Sequence, residues 1–210
     1  MATPIIHGPD YSTYARTVRL ALEEKGAAYE MRPIHILGGE SPASNVQPFG
    51  KVPGFEHDGF FIYETSAIVR YVDHVFSGKP LQPSDPKQAA RMNQVIGIID
   101  SYGYGSIVGK LVWQRLIVPM TGGQADDAVV NAAKPMVEKV LSEFERIKGS
   151  DRFLAGPDLS LADLFLAPIF AYFSMTEDSK ELLSTRTGLR TWWDGMSSRD
   201  SIRKTQPNLG

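Results

Sequence analysis

The sequence predicts two parts of different class: an α/β domain over residues 1–77 and an all-helical domain over residues 87–210, joined by a linker at 78–86. Three observations lead there. Strand and helix signals alternate through the first third of the chain. Ser77-Gly78-Lys79-Pro80, with Pro83 and Pro86, makes a polar, proline-rich break. Past Pro86 the strand signals nearly vanish and long helical periodicities take over. At 210 residues the chain is long enough to give each part a core.

Pro4-Ile5-Ile6-His7 is a short apolar run stopped by Gly8-Pro9-Asp10, which reads as a strand. Thr13 to Lys25 carries Val18, Leu20, Ala21 and Leu22 and ends at Gly26, a helix with its stop signal. Tyr29 to Ile36 reads as a second strand, broken by Gly38-Gly39 and Pro42. A strand-helix-strand start predicts a parallel pair joined by a crossover helix. Gly54 to Ile62 holds two apolar runs about the polar pair Asp58-Gly59, the pattern of a hairpin. Thr65 to Phe76 then repeats Ala67, Ile68, Tyr71, Val72 and Val75 at helical spacing. A βαβ unit followed by ββα is the plan of a thioredoxin-like domain.

In the second part, Gln88 to Val118 and Asp126 to Ile147 are long helical stretches separated by Gly122-Gly123. The later one gathers Val130, Ala133, Val137, Val140, Leu141 and Phe144 on one face. Leu161 to Phe173 is apolar around most of its circumference, so it is expected to form the buried centre of a helical domain. At its entrance Ser160 occupies the cap position and Asp163 follows three residues on, a capping box with Asp in place of Glu or Gln. These two residues are assigned to stability.

A net charge of −2 gives no reason to expect nucleic acid or an anionic membrane as partner. No run approaches the ~18 to 20 apolar residues of a membrane span, and the first residues carry no secretion signal, so a cytoplasmic location is expected. Cysteine is absent, which excludes disulfides, thiolate metal sites and a protein thiol nucleophile. His7, His35, His57 and His74 are scattered without ligand spacing, so no metal is expected.

Two segments carry the chemistry. In Lys51-Val52-Pro53-Gly54-Phe55 the proline cannot donate to a sheet ladder, so it marks an accessible strand start. A cis Val52-Pro53 bond would turn the Val52 backbone outward, where an extended peptide could pair with it. Glu64-Thr65 then opens a helix, whose free N–H groups and dipole favour a carboxylate. The second segment, His7 to Val18, follows the first strand, and ligands of open α/β sheets bind beyond the carboxyl ends of strands. It offers hydroxyls at Tyr11, Ser12, Thr13 and Tyr14.

Together these residues resemble a cytosolic glutathione S-transferase, and the resemblance runs nearly the whole length of the chain. Gly8, Ser12 and Val18 match the first loop of the serine-type phi and theta transferases, in which a glycine is followed four residues later by the catalytic serine and then by a valine. A bacterial source is expected. The resemblance implies an enzyme that activates the glutathione thiol as a thiolate and adds it to small hydrophobic electrophiles, with glutathione as co-substrate, a detoxification role and a homodimeric assembly. Ser12 is the implied catalytic residue, with Tyr11 and Tyr14 as competing hydroxyls and with helix capping alone as the plain alternative for Ser12.

Glu64 and Thr65 would bind the γ-glutamyl end, Val52 and Pro53 the cysteinyl backbone, and Lys51 the glycyl carboxylate, unless Lys51 is simply solvated. The basic pair that such transferases carry before the second helix has no counterpart in Gly38-Gly39-Glu40-Ser41. The electrophile pocket is expected from Tyr11, Tyr14, Tyr102, Tyr104, Ile107 and Leu111, with Trp113 nearby. Two rivals share these features: a glutathione-dependent isomerase or peroxidase using the same thiolate, and a non-catalytic interaction module on the same fold.

Overall fold

The computed structural model describes residues 2–34 and 46–208. His35, the expected strand end at Ile36, and Gly38 to Ser41 lie outside the described residues. The chain forms two compact units, one of Met1–Gln82 with Ser198–Gly210 and one of Pro83–Ser197.

In the first unit β1 (Ile5–His7), α1 (Thr13–Glu24), β2 (Glu30–Arg32), β3 (Gly54–His57), β4 (Phe60–Tyr63) and α2 (Thr65–Val75) follow in order. The sheet runs β2-β1-β3-β4, with β1 parallel to β2 and both other pairings antiparallel. This is the predicted βαβ-ββα plan, with β2 shorter than the run Tyr29 to Ile36. Asp58 and Gly59, both at positive φ, make the hairpin turn. Ile6 and Phe55, paired across β1 and β3, have no exposed surface, nor do Val18, Leu22, Ile68 and Val72 of the two helices. Their burial is the core of the unit.

The tail departs from the expected boundary. Residues from Ser198 on belong to the first unit, because α9 (Asp200–Lys204) packs on α1. Arg199 donates two hydrogen bonds to the Glu24 carboxylate, and buried Arg16 donates to the Ile202 carbonyl at 3.0 Å. Only tertiary contacts bring these residues together, so local periodicity could not place the tail.

The second unit holds α3 (Pro86–Ile98), a π-wound continuation π1 (Ile99–Ile117), α4 (Val118–Met120), α5 (Asp127–Lys148), α6 (Leu161–Phe173), α7 (Glu177–Leu182) and α8 (Thr187–Ser197). Pro86 is the first residue of α3 and not linker: Asp85 caps the helix by accepting from Lys87 and Gln88 N–H groups, and proline suits a first turn whose N–H has no intrahelical partner. Nearly every residue of α6 is buried, as its all-round apolarity predicts. The Asp163 carboxylate, fully buried, accepts from the N–H groups of Leu154 and Ser160, the Ser160 hydroxyl and the Trp192 indole, all at 2.9–3.0 Å. Burial raises its pKa while these hydrogen bonds pull the other way.

Candidate glutathione site

The loop after β1 is held at its start by the Gly8 N–H, which donates to the Arg32 carbonyl at 3.0 Å. A Cβ at Gly8 would lie 3.3 Å from the Val52 Cβ and 3.4 Å from the Ala15 Cβ. The residue is therefore small because three segments converge on it: the loop itself, the first turn of α1 and the turn before β3. The convergence brings the Ser12 and Val52–Pro53 segments, 40 positions apart in sequence, to one place.

Ser12 is the N-cap of α1. Its backbone is extended, with φ −68 and ψ 126, and its N–H donates to the Pro9 carbonyl at 3.2 Å, which closes the turn. Its Oγ accepts from the Ala15 N–H at 3.3 Å. A serine oxygen that accepts the helix's N–H keeps its own hydrogen to donate elsewhere. Capping and thiolate activation are thus compatible roles for this one hydroxyl. Ser12 is half-buried, as are Tyr11 and Tyr14 on either side.

At the start of α2, Glu64 is the N-cap and has φ 69 and ψ 112, a conformation that costs a non-glycine residue about 1–3 kcal/mol. Its carbonyl accepts from the Ala67 and Ile68 N–H groups, while its side chain makes no capping bond. The N–H groups of Thr65 and Ser66 therefore have no intrahelical acceptor, which is the arrangement that receives a carboxylate. Thr65 is buried and the Glu64 side chain is exposed. The Val52–Pro53 peptide bond is cis; Val52 is half-buried, Pro53 buried and Lys51 exposed.

The residues expected around the electrophile divide. Tyr102 is 56% exposed and lines a groove of about 540 Å³ in the helical unit with Ile98, Met136 and Val140. Tyr104 is half-buried and Trp113 exposed. Ile107 and Leu111 are 0% exposed, and a side chain with no accessible surface offers none to a ligand, so both belong to the core. They lie among the buried residues of π1 with Ile99, Gly103, Ser106 and Val112.

Sequence reasoning missed two features of the site. One is the positive φ of Glu64, for which residue type gives no signal. The other is the tail's grip on the loop that carries Ser12: the Asn208 N–H donates to the Asp10 carboxylate at 3.1 Å. Among the described residues no group of three or more His, Cys, Asp or Glu is placed to hold a metal ion. His57 bonds the Tyr71 hydroxyl at 2.9 Å, and His74 lies 2.7 Å from the Arg70 carbonyl.

Comparison with known proteins follows this division of the chain. Residues 6–80 match the family model of the glutathione S-transferase N-terminal domain, and residues 108–200 that of the glutathione S-transferase C-terminal domain. Glutathione S-transferase F6 of Arabidopsis thaliana is 34% identical over 97% of this chain and 99% of its own length. Among solved structures, glutathione S-transferase-I bound with lactoylglutathione superposes with TM-score 0.85 and 28% identity, covering 97% of this chain and 98% of that one. The maize glutathione S-transferase I in complex with an atrazine glutathione conjugate superposes with TM-score 0.84 and 29% identity, covering 97% and 96%. These relatives are plant proteins where an organism is given, and the expected bacterial source finds no support in them.

Proposed function

We infer, since this chain belongs to the glutathione S-transferase family, that it binds glutathione as co-substrate and conjugates it to small hydrophobic electrophiles. The observation that carries the mechanism is the half-buried Ser12 hydroxyl, which accepts from the helix and retains a hydrogen to give. A free thiol has a pKa of about 8.5, and each unit of lowering needs about 1.4 kcal/mol of preference for the anion. One hydrogen bond to a charged group contributes roughly 1.5–3 kcal/mol and a helix N-terminus about 0.3–1. Ser12 at the head of α1 is therefore sufficient for a shift of one to three units, and the thiolate is the nucleophile. This makes the enzyme serine-type, like the phi and theta transferases.

The tripeptide lies, in this proposal, with its γ-glutamyl end at the head of α2, where the Thr65 hydroxyl and the unpartnered N–H groups hold its α-carboxylate and the Glu64 carboxylate accepts from its ammonium. Its cysteinyl backbone pairs with Val52 beside Pro53, and its glycyl carboxylate meets Lys51. Tyr11 and Tyr14, in the same segment as Ser12, offer aromatic surface to the electrophile. Tyr102 and Tyr104 are the candidates that the helical unit contributes. A homodimeric assembly, a cytoplasmic location and a role in detoxification belong to the same reading. The described helices include none long and apolar enough to cross a membrane.

Retention on immobilised glutathione, followed by conjugation of a chromogenic aryl halide, tests the activity. Ser12→Ala is expected to lower kcat at least about tenfold with glutathione affinity nearly unchanged. Near-wild-type turnover would transfer the role to Tyr11 or Tyr14.

A further inference from the structure

The first unit is completed by the far end of the chain, and the manner of its docking has a direction. The tail runs antiparallel along α1, from the end of that helix back toward its beginning. Arg199 forks onto the Glu24 carboxylate with bonds of 2.9 and 2.7 Å, and the Lys204 ammonium stands 3.4 Å from Glu23. One turn into α1, the Arg16 guanidinium donates through Nη2 to the Ile202 carbonyl at 3.0 Å and through Nε to the Thr205 hydroxyl at 3.3 Å. Arg16 is 3% exposed and Thr205 0%. Ahead of α1, the Asp10 carboxylate accepts from the Asn208 N–H, and the Asp10 carbonyl accepts from Arg19 at 3.4 Å.

These contacts bracket Ser12. Asp10 is two residues before it and Arg16 four residues after it, and the Arg16 N–H donates to the Ser12 carbonyl at 2.9 Å. Within the segment Ser12 is held lightly: a turn bond at 3.2 Å and a cap bond at 3.3 Å. Only the cap bond holds the hydroxyl itself, and stabilising a thiolate requires a donor held in one direction before the charge forms, so the backbone on either side of Ser12 has to be fixed. A buried arginine with bonds to two acceptors is a rigid fork, unlike a lysine at the same place.

We propose that residues 198–208 act as a clasp that aims the Ser12 hydroxyl, with Arg16 and Asp10 as the positioning residues through which the tail grips the loop. Arg16 touches neither thiol nor electrophile; it sets the first turn of α1, while Asp10 sets the turn that enters it. The inference rests on the reading of Ser12 as the thiolate donor. It adds that the serine's effectiveness depends on a segment nearly 190 residues downstream.

The test uses the full chain with Arg16→Lys and Asp10→Ala, each alone and combined with Ser12→Ala. Arg16→Lys keeps the charge and removes the fork; Asp10→Ala removes a half-buried acceptor outside the helix and guards against a fold defect in the first variant. The readout is the pH profile of kcat/KM, which reports the ionisation of the reacting thiol, with the glutathione KM and the melting temperature measured beside it.

Each single variant should lower kcat/KM about three- to tenfold and raise the apparent thiol pKa by about half a unit or more, with the glutathione KM within about twofold. In the Ser12→Ala background neither should have a further effect, since the group being aimed is gone. A lower melting temperature with an unmoved pH profile in both variants would overturn the clasp and leave it as plain packing. Variants that shift the profile equally with and without Ser12 would also overturn it, and an unmoved profile in Ser12→Ala alone would remove the serine reading and the clasp together.

Discussion

Two helices of this chain begin with a serine, and the two serines are used in opposite ways. Ser160, at the head of α6, is 0% exposed and its hydroxyl donates to the Asp163 carboxylate at 2.9 Å. Ser12, at the head of α1, is half-buried; its oxygen accepts from the Ala15 N–H, and the helix it caps places no acidic side chain in its first turn to take its hydrogen. The same residue at the same helical position is structural at Ser160, where its hydrogen is engaged by a buried neighbour, and at Ser12 keeps that hydrogen for the thiolate chemistry proposed above. The difference lies in the partner at the third helical residue. Asp163 captures the first serine, whereas α1 has Ala15 there and no acidic residue in its first turn.

The largest effect should come from breaking the buried end of the comparison. Asp163→Ala leaves four donors without an acceptor, at a cost of about 1–3 kcal/mol for each that water cannot reach. We expect a loss of more than about 3 kcal/mol in denaturant unfolding, with the kinetic constants of the folded fraction unchanged. A catalytic defect at unchanged stability would contradict the structural assignment.

The head of α2 sharpens the comparison, because it is a helix start with no side-chain cap at all. Thr65→Val keeps size and branching and removes the hydroxyl; glutathione affinity measured by calorimetry should fall by about 1.5–3 kcal/mol, with kcat less affected than KM. Unchanged affinity would mean that the tripeptide does not bind at this helix.

The smallest effect concerns the far end of α1. Burial alone would raise the Glu24 pKa, but hydrogen bonds from Arg199 and Ser201, with the charge of Arg199, hold it below the usual range. A carboxylate whose pKa falls on folding contributes stability above its unfolded value of about 4.3 and loses it as pH falls through the folded value. Glu24→Gln should therefore cost about 1 kcal/mol at pH 7, and the difference from wild type should shrink as pH drops below about 4.3. A difference that stays constant from pH 7 to pH 3 would refute the ion pair as its source.

What was legible in the sequence was local. The strand-helix order, the Asp58-Gly59 turn, the all-round apolarity of α6 and the Ser160–Asp163 cap each depend on residues close in the chain, and each is present. Gly8 and Ser12 were singled out by the resemblance to serine-type transferases, Val52 by the proline that follows it and Thr65 by its place at a helix start; the structure brings Gly8, Val52 and the first turn of α1 together and opens α2 at Thr65. Features that depend on distant contacts were not legible. The return of the tail rests on Arg16 and Glu24 meeting residues nearly 190 and 175 positions away, and nothing in the local pattern around either marks a partner. Helices α7 and α9 have only six and five residues, too few to show a period. Ile107 and Leu111 were expected in the pocket on residue type alone, which does not say which side of π1 faces the core, and both are 0% exposed.

The contrast between the two serines is tested most directly by titrating the thiol of bound glutathione, following the ultraviolet absorbance of the thiolate in the wild type, in Ser12→Ala and in Ser160→Ala. The account predicts an apparent pKa one to three units below the free value of about 8.5 in the wild type and in folded Ser160→Ala, and a return toward about 8.5 in Ser12→Ala alone. A thiol that titrates in Ser12→Ala as it does in the wild type would contradict it.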